Sequence, residues 1–580
     1  MNRMIRDATD VLAKESAAPQ RAFVMVDDNG GECVFNIAVN ALTRHADDRA
    51  RLALVWEATN GRRETFTFFD LDRLSNRIAN ALDALGLKRQ DRVFTLLGRT
   101  PTLYAALPAV LKLGAAVGVL FTDFGPEAIR QRLADAGARF VLTDTRQLPK
   151  LLSVCGTLPS LKHILVAGEG GEDETRLAVR EAPSAAGNCR DVRVHDLETL
   201  LESASPAFTP VAVDADETCF FVYTSGTTGL PKGVVHRHAI GERLIATAGE
   251  VLALEDSDLY WCTADPGWVT GLCYGVFAPW LLGCPVFACE GEFDAARWLD
   301  LLERHQITCW YMTPTLLRLL MRAGGEELTH QRDFALRRIY SVGEPLTAEV
   351  IEWAERVFGV PVYDNYWQTE TGSLVIANRP GVPVRRGSMG KPVTGVSAAI
   401  IDEHGQELSA GMTGDIAVRP TLSSLFKGYW NFPEATRACF RAGWYITRDR
   451  GRRDHDGYFW FVARDDDVIT CEAQRVGPFE VETALLAHPA VAEAAVIGVP
   501  DQVTTERVKA YIIPHEAYAP ARQLAEEIAA YVRAQLSPVA CPREIEFCDR
   551  LPRTRTGKVQ RALLRKQHEQ QHSERAFLLE

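Results

Sequence analysis

The chain has 580 residues, 47% of them hydrophobic and 24% charged, with a formal net charge of -12. That length exceeds what one compact core needs, so at least two domains are expected, and the acidic balance argues against a nucleic-acid partner. Thirteen cysteines spread from Cys33 to Cys548 without a Cys-x-x-Cys pair. They argue against structural zinc and a disulfide framework and for a reducing, cytoplasmic location.

Residues 1–40 mix acidic and basic groups without an apolar stretch, so no secretory leader is expected. From about Glu64 helix-like and strand-like segments alternate. Phe69 to Leu85 has helical spacing, Arg92 to Leu97 reads as a strand, and Pro101 to Leu113 is helical again. The apolar run Ala105 to Phe121 is broken by Pro108, Lys112 and Gly114, so it reads as a buried helix and strand, not a membrane span. Strand patterns continue at Phe140–Thr143, Asp258–Thr263, Pro285–Ala288, Cys309–Met312, Ile339–Ser341 and Val362–Tyr363. Such alternation predicts an α/β architecture with buried, largely parallel strands. Around Thr413–Arg419 and Gly457–Val462 the strands shorten, which predicts a small antiparallel region. After the charged junction at Arg464, the segments Val481–Leu486, Ala490–Gly498, Lys509–Pro514 and Arg522–Leu536 outline a second compact α/β unit. The tail from Gln567 is polar and is expected to fray.

The segment with the most chemistry is Tyr223-Thr224-Ser225-Gly226-Thr227-Thr228-Gly229-Leu230-Pro231-Lys232-Gly233, directly after the apolar strand Cys219–Val222. Its glycines and hydroxyls can turn backbone N–H and side-chain O–H groups onto an anion, and Lys232 adds a cation. It is not the nucleotide-binding P-loop, because Pro231 stands where that motif has a glycine and no Ser or Thr follows the lysine. Further on, Glu370 offers a hard oxygen of the kind Mg²⁺ takes beside phosphates. His236 and His238 follow the loop; packing or solvent contact is expected of them over metal binding.

The loop resembles the phosphate loop of the adenylate-forming superfamily: acyl-CoA synthetases, peptide-synthetase adenylation domains and luciferases. Further strings extend the likeness over roughly Thr65 to Arg561: Tyr260 to Gly271, Ser341 to Pro345, Tyr366 to Gly372 and Arg475 to Glu482. They resemble bacterial-type AMP-forming acetyl-CoA synthetases most. The resemblance implies a large N-terminal domain (1–464) of stacked, mainly parallel sheets with helices plus a small antiparallel barrel-like region. A small mobile C-terminal α/β domain (465–580) would turn about a hinge at Asp466. It implies ATP, Mg²⁺ and CoA as reactants and a small carboxylate as substrate, with neither nucleic acid nor membrane as partner.

Residue by residue, the resemblance gives Lys558, Lys232, Thr369 and Glu370 the catalytic roles, with Glu370 on the metal and Lys558 bridging carboxylate and α-phosphate. Nucleotide contacts would come from Thr224, Ser225, Gly226, Thr227, Thr228, Gly229 and Lys232, and from Gly343, Glu344 and Pro345 beside adenine. Asp364, Asn365, Tyr366, Trp367, Gln368 and Thr369 would join them, as would Asp449 on the ribose, Arg464 and Arg475. Val269, Thr270, Val342 and Trp367 would line a very small acyl pocket, with the indole excluding long chains.

Departures cluster near the junction. The usual Tyr-x-x-Gly-Asp appears as Tyr445-Ile446-Thr447-Arg448-Asp449, a bulky cation where glycine is usual, and a Ser-Gly pair becomes Glu472-Ala473. They leave the adenylation set intact. They also leave open an acceptor other than CoA, such as a carrier protein or an amine. A nucleotide-binding homologue without turnover is a third reading.

Overall fold

The computed structural model describes residues 26–27, 33–34, 36–168, 175–179, 191–225, 231–464, 467, 469–471, 474–501, 505–536, 540–553, 558–570 and 576–579. Two large sheets dominate it. One has eight strands, with Thr218–Ser225, Ala116–Val119, Arg92–Leu96, Phe140–Asp144, His163–Ala167 and Arg193–Asp196 mutually parallel. Pro231–Arg237 and Gly428–Tyr429 close its edge in antiparallel fashion. The other has nine strands around a parallel centre of Leu52–Glu57, Val286–Cys289, Tyr260–Cys262, Cys309–Met312, Arg338–Val342 and Val362–Tyr366. Phe140–Asp144 and Cys309–Met312 are buried at every position, which is why their sequences read as apolar runs without alternation.

Local chemistry sets the helices between them. Thr67 and Asp70 form a reciprocal capping box at the start of Phe68–Ala84, whose Leu71, Ile78 and Leu82 face the core. Thr313 caps Pro314–Arg322, with Pro314 preset for the first helical position. The antiparallel region contains Ala398–Ile401, Thr413–Val418, Phe440–Arg441, Trp444–Arg453 and Phe459–Arg464.

Beyond Arg464 a separate core forms from residues such as Ile469, Val481, Leu485, Val496, Val508, Ile512, Ile528 and Phe547. The predicted segments there are the helix Pro478–Leu486, the strands Val491–Asp501 and Thr505–Pro514, and the helix Arg522–Gln535. The tail departs from expectation. Arg561–Gln570 is a helix, and Ala576–Leu578 adds a strand to Glu544–Phe547, with the Phe577 and Phe547 ring centroids 6.0 Å apart. Burial of that ring offsets the polar run before it.

Cys155 is held in a disulfide, so the thiols are not uniformly free, although Cys219, Cys273, Cys309 and others are. Among the described residues no helix is long and apolar enough to cross a membrane.

Candidate active site

The site lies beyond the carboxyl ends of the nine-stranded sheet's parallel strands, the usual place for ligands in such sheets. Arg338–Val342 and Val362–Tyr366 run side by side, with Val342 opposite Asn365. The chain therefore delivers Gly343-Glu344-Pro345 and Tyr366–Glu370 to one edge. Gly343 has φ +92°, and a Cβ there would meet nothing within 4 Å. Glycine supplies the left-handed turn and leaves an open slot above it. Below, the Asn365 carboxamide and Asp364 Oδ1 are buried without a hydrogen-bond partner among the described residues. Buried polar atoms left unmatched suit a polar ligand such as a purine. Glu344 turns away from the slot, accepting from Thr315 Oγ1 at 2.7 Å and pairing with Arg318 at 2.6 Å.

A second group surrounds Asp449, which is buried. Its Oδ2 accepts from Tyr366 OH and Gln368 Nε2, each at 2.6 Å, while Oδ1 lies 3.5 Å from Arg464. Tyr445 OH donates to Gln368 Oε1 at 2.9 Å and fixes the amide's orientation. Burial raises the pKa of Asp449, opposed by Arg464, Tyr366 and Gln368.

The phosphate side is a hairpin. Thr224 and Lys232 face each other in register across Thr218–Ser225 and Pro231–Arg237. Gly226, Thr227, Thr228, Gly229 and the Ser225 side chain lie outside the described residues. Lys232 Nζ sits 5.3 Å from the Tyr429 ring centroid, and Tyr429 OH donates to Glu370 Oε1 at 2.6 Å. Glu370 therefore presents a hard carboxylate beside the lysine. No group of three His, Cys, Asp or Glu among the described residues could hold a metal, so a cation at Glu370 would take its other ligands from phosphate and water.

The loop Gln368–Gly372 is pinned from behind. His236 Nε2 is 2.8 Å from the Thr369 carbonyl, and burial lowers the imidazole's pKa to about 4, so it is neutral and donates. Gly372 (φ +67°) passes so close to Ser424 O and His236 that a Cβ would lie 2.4 Å from the former and 2.9 Å from the latter. His238 accepts from Ile37 N at 3.2 Å. Both histidines are fully buried packing groups, though His236 packs from a strand, not a helix.

The four acyl-pocket positions belong to one region. Val269 starts the short helix Val269–Leu272, Val342 ends its strand, and both share a buried cluster with Trp367 and Tyr274. The chain continues from that helix into a π-turn, Cys273–Phe277, a geometry frequent at functional sites. It aims Tyr274 edge-on at Trp367, with ring centroids 5.0 Å apart. Thr270 is half-buried beside Val269.

Lys558, near the C-terminal end, reaches this site. Lys558 keeps an exposed surface yet is crowded by protein atoms, which lowers its pKa; Glu344, Asp449 and Glu370 oppose that, and Arg464 adds to it. A cation is thus within electrostatic range of Glu344, Asp449 and Glu370 together. Glu493 holds the approach, pairing with Arg322 of the helix Pro314–Arg322 and with Arg553. Asp466, Glu472 and Ala473 lie outside the described residues. Arg475 lies on the strand Gln474–Val476. Arg448 has φ +60°, a left-handed backbone that costs a non-glycine residue roughly 1–3 kcal/mol.

Sequence reasoning missed Tyr429, Tyr445, Tyr274, His236's hold on Thr369, and the Thr315–Arg318 brace. Tyr445 heads the string Tyr445-Ile446-Thr447-Arg448-Asp449 but carries no assigned role there, and no periodic or punctuated pattern marks the other contacts.

A family model described as AMP-binding enzyme matches residues 42–430, and one described as AMP-binding enzyme C-terminal domain matches 480–558. The chain is 40% identical to the acetyl-coenzyme A synthetase of Bacillus subtilis (strain 168), over 91% of this chain and 90% of that protein. It is 35% identical to that of Methanothrix soehngenii, over 92% and 82%. Among solved structures, an acyl-CoA synthetase of Brucella canis aligns with a TM-score of 0.72 at 36% identity, covering 97% and 99% of the two chains. A benzoate CoA ligase of Burkholderia xenovorans LB400 aligns at 0.79 and 27% identity, covering 92% and 100%.

Proposed function

The chain belongs to the AMP-binding enzyme family, and from that premise we propose that it is an AMP-forming acid–thiol ligase for acetate or a similarly small carboxylate. Residues 1–464 would bind ATP and acid, and 465–580 would act as the lid that carries Lys558. Identities of 34–40% to acetyl-coenzyme A synthetases over most of the chain support the acid and the acceptor, CoA.

The observation that carries the reading is Lys558 held in electrostatic range of Glu344, Asp449 and Glu370. In this mechanism the carboxylate needs no general base. Its oxygen bonds to the α-phosphorus of ATP, the bond to the β-phosphate oxygen breaks, and pyrophosphate leaves. Lys558 and Lys232 offset charge at the reacting phosphate. Thr369, pinned through its carbonyl by His236, offers its remaining polar groups to that phosphate. Asp449 would accept from the ribose hydroxyls, and the unmatched atoms of Asp364 and Asn365 would meet adenine. Mg²⁺, held by Glu370, would neutralise phosphate charge. In the second half-reaction the CoA thiolate attacks the acyl carbonyl and AMP leaves. Trp367, Val269 and Val342 would restrict the acid to a very short chain.

The test is acetate-dependent exchange of labelled pyrophosphate into ATP, together with AMP release with and without CoA. Exchange and CoA-dependent AMP release are expected. Exchange without any response to CoA would move the acceptor elsewhere, and no exchange with any short acid would end the reading.

A further inference from the structure

Arg448 is an exposed cation at the edge of the candidate nucleotide site, in the place where the resembling motif has glycine. It immediately precedes Asp449, whose carboxylate is tied to Tyr366 and Gln368. On its other side lies Cys439, within electrostatic range of Arg448, Glu370 and Lys232 alike. The same strand fixes that proximity, because Ile446 N donates to Cys439 O at 2.8 Å. Cys439 Sγ in turn lies 3.9 Å from Tyr429 OH, the hydroxyl that holds Glu370.

The backbone is shaped to present this side chain. Pairing of Thr413–Val418 with Trp444–Arg453 jumps from Ala417↔Ile446 to Asp415↔Arg450, so Thr447, Arg448 and Asp449 bulge out together. Bulges of this kind re-aim side chains beside active sites. Neighbouring arginines have carboxylate partners: Arg441 and Arg450 share Asp415, and Arg464 pairs with Asp449. Arg448 is exposed and makes no hydrogen bond or ion pair with any described residue. An unpaired guanidinium on a left-handed bulge, next to Asp449 in the chain and near the same Cys439 that lies near Glu370 and Lys232, suits a planar fork for phosphate oxygens.

We propose that Arg448 is a binding residue for the β- and γ-phosphates of ATP, and hence for the pyrophosphate that leaves. This rests on the adenylating reading above for the direction in which the nucleotide lies.

Calorimetric titration of Arg448→Gly, Arg448→Lys and the unaltered chain with magnesium ATP, magnesium pyrophosphate, AMP and CoA separates the two questions, since it needs no turnover. Glycine relieves the left-handed backbone, so the variant is expected to melt no lower than the parent. In Arg448→Gly, ATP and pyrophosphate should bind about tenfold more weakly, as expected for loss of a charge-assisted contact, while AMP changes less than about twofold. Arg448→Lys should recover part of the loss. Equal weakening of ATP and AMP, no weakening of either polyphosphate, or weakening confined to CoA would overturn the assignment. Failure of the exchange assay in the unaltered chain would count against the adenylating reading alone.

Discussion

Gln368 and Asp449 meet where the nine-stranded and antiparallel sheets abut, the amide Nε2 donating to Asp449 Oδ2 at 2.6 Å. Tyr366 donates to the same oxygen, so one carboxylate oxygen is held by a donor at the strand's end and one from the loop after it, and the other faces Arg464. That arrangement fixes a buried acceptor before any ribose arrives, and preorganisation of this kind lowers the cost of binding.

Asp449→Asn separates stability from function. Burial raises the folded-state pKa above the ordinary carboxylate value, so ionised Asp449 costs stability at neutral pH. Its contribution is most favourable below the ordinary value and is lost as pH rises through the folded one. Asparagine removes that cost and can still accept from Tyr366 and Gln368. Differential scanning fluorimetry at pH 7.5 should give an equal or higher Tm, while kcat/KM for ATP falls at least about tenfold. A lower Tm with unchanged kinetics would contradict this account.

His236 predicts an acid-sensitive site. Its folded pKa of about 4 lies below the ordinary 6.5, so its stabilisation is fully present above pH 6.5 and declines as pH falls toward 4. Full loss amounts to about 3 kcal/mol. His236→Gln keeps a donor for the Thr369 carbonyl without taking up a proton. Its melting temperature should vary less between pH 6.5 and 4.5 than that of the parent, although His238 retains part of the slope.

Trp367→Gly should move chain-length preference. The indole packs edge-on to Tyr274, and its removal opens a cavity at a cost of about 3–5 kcal/mol in stability. The ratio of kcat/KM for pentanoate over acetate should rise by more than about tenfold, and an unchanged ratio would remove Trp367 from the pocket.

Arg322→Ala tests the contact through Glu493. Both partners retain some solvent exposure, so the pair adds little to global stability. The Tm should shift by less than about 2 °C, while pyrophosphate exchange slows several-fold. Acyl transfer from synthetic acyl-adenylate to CoA should be affected less, because the role proposed for Lys558 is confined to the adenylation step.

Much of the fold was legible because buried parallel strands such as Cys309–Met312 carry unbroken apolar runs. The phosphate loop, Glu370, Asp449 and Lys558 were legible through motif strings. Their mutual placement was not. Tyr429 meets Glu370 across 59 residues and Tyr366 meets Asp449 across 83, and no periodicity marks a lone tyrosine for such a contact. The tail was misread for a local reason: the polar stretch after Gln567 outweighs Phe577 and Leu579, whose partial burial depends on a sheet edge supplied from Glu544–Phe547.

The helix Pro314–Arg322 has two anchors one turn apart. Arg318 grips Glu344 of the base turn, and Arg322 grips Glu493 beyond the junction. The helix thereby ties the turn after Arg338–Val342 to the strand Val491–Asp501 through two ion pairs. A substitution that bends or shortens this helix would disturb both pairs at once.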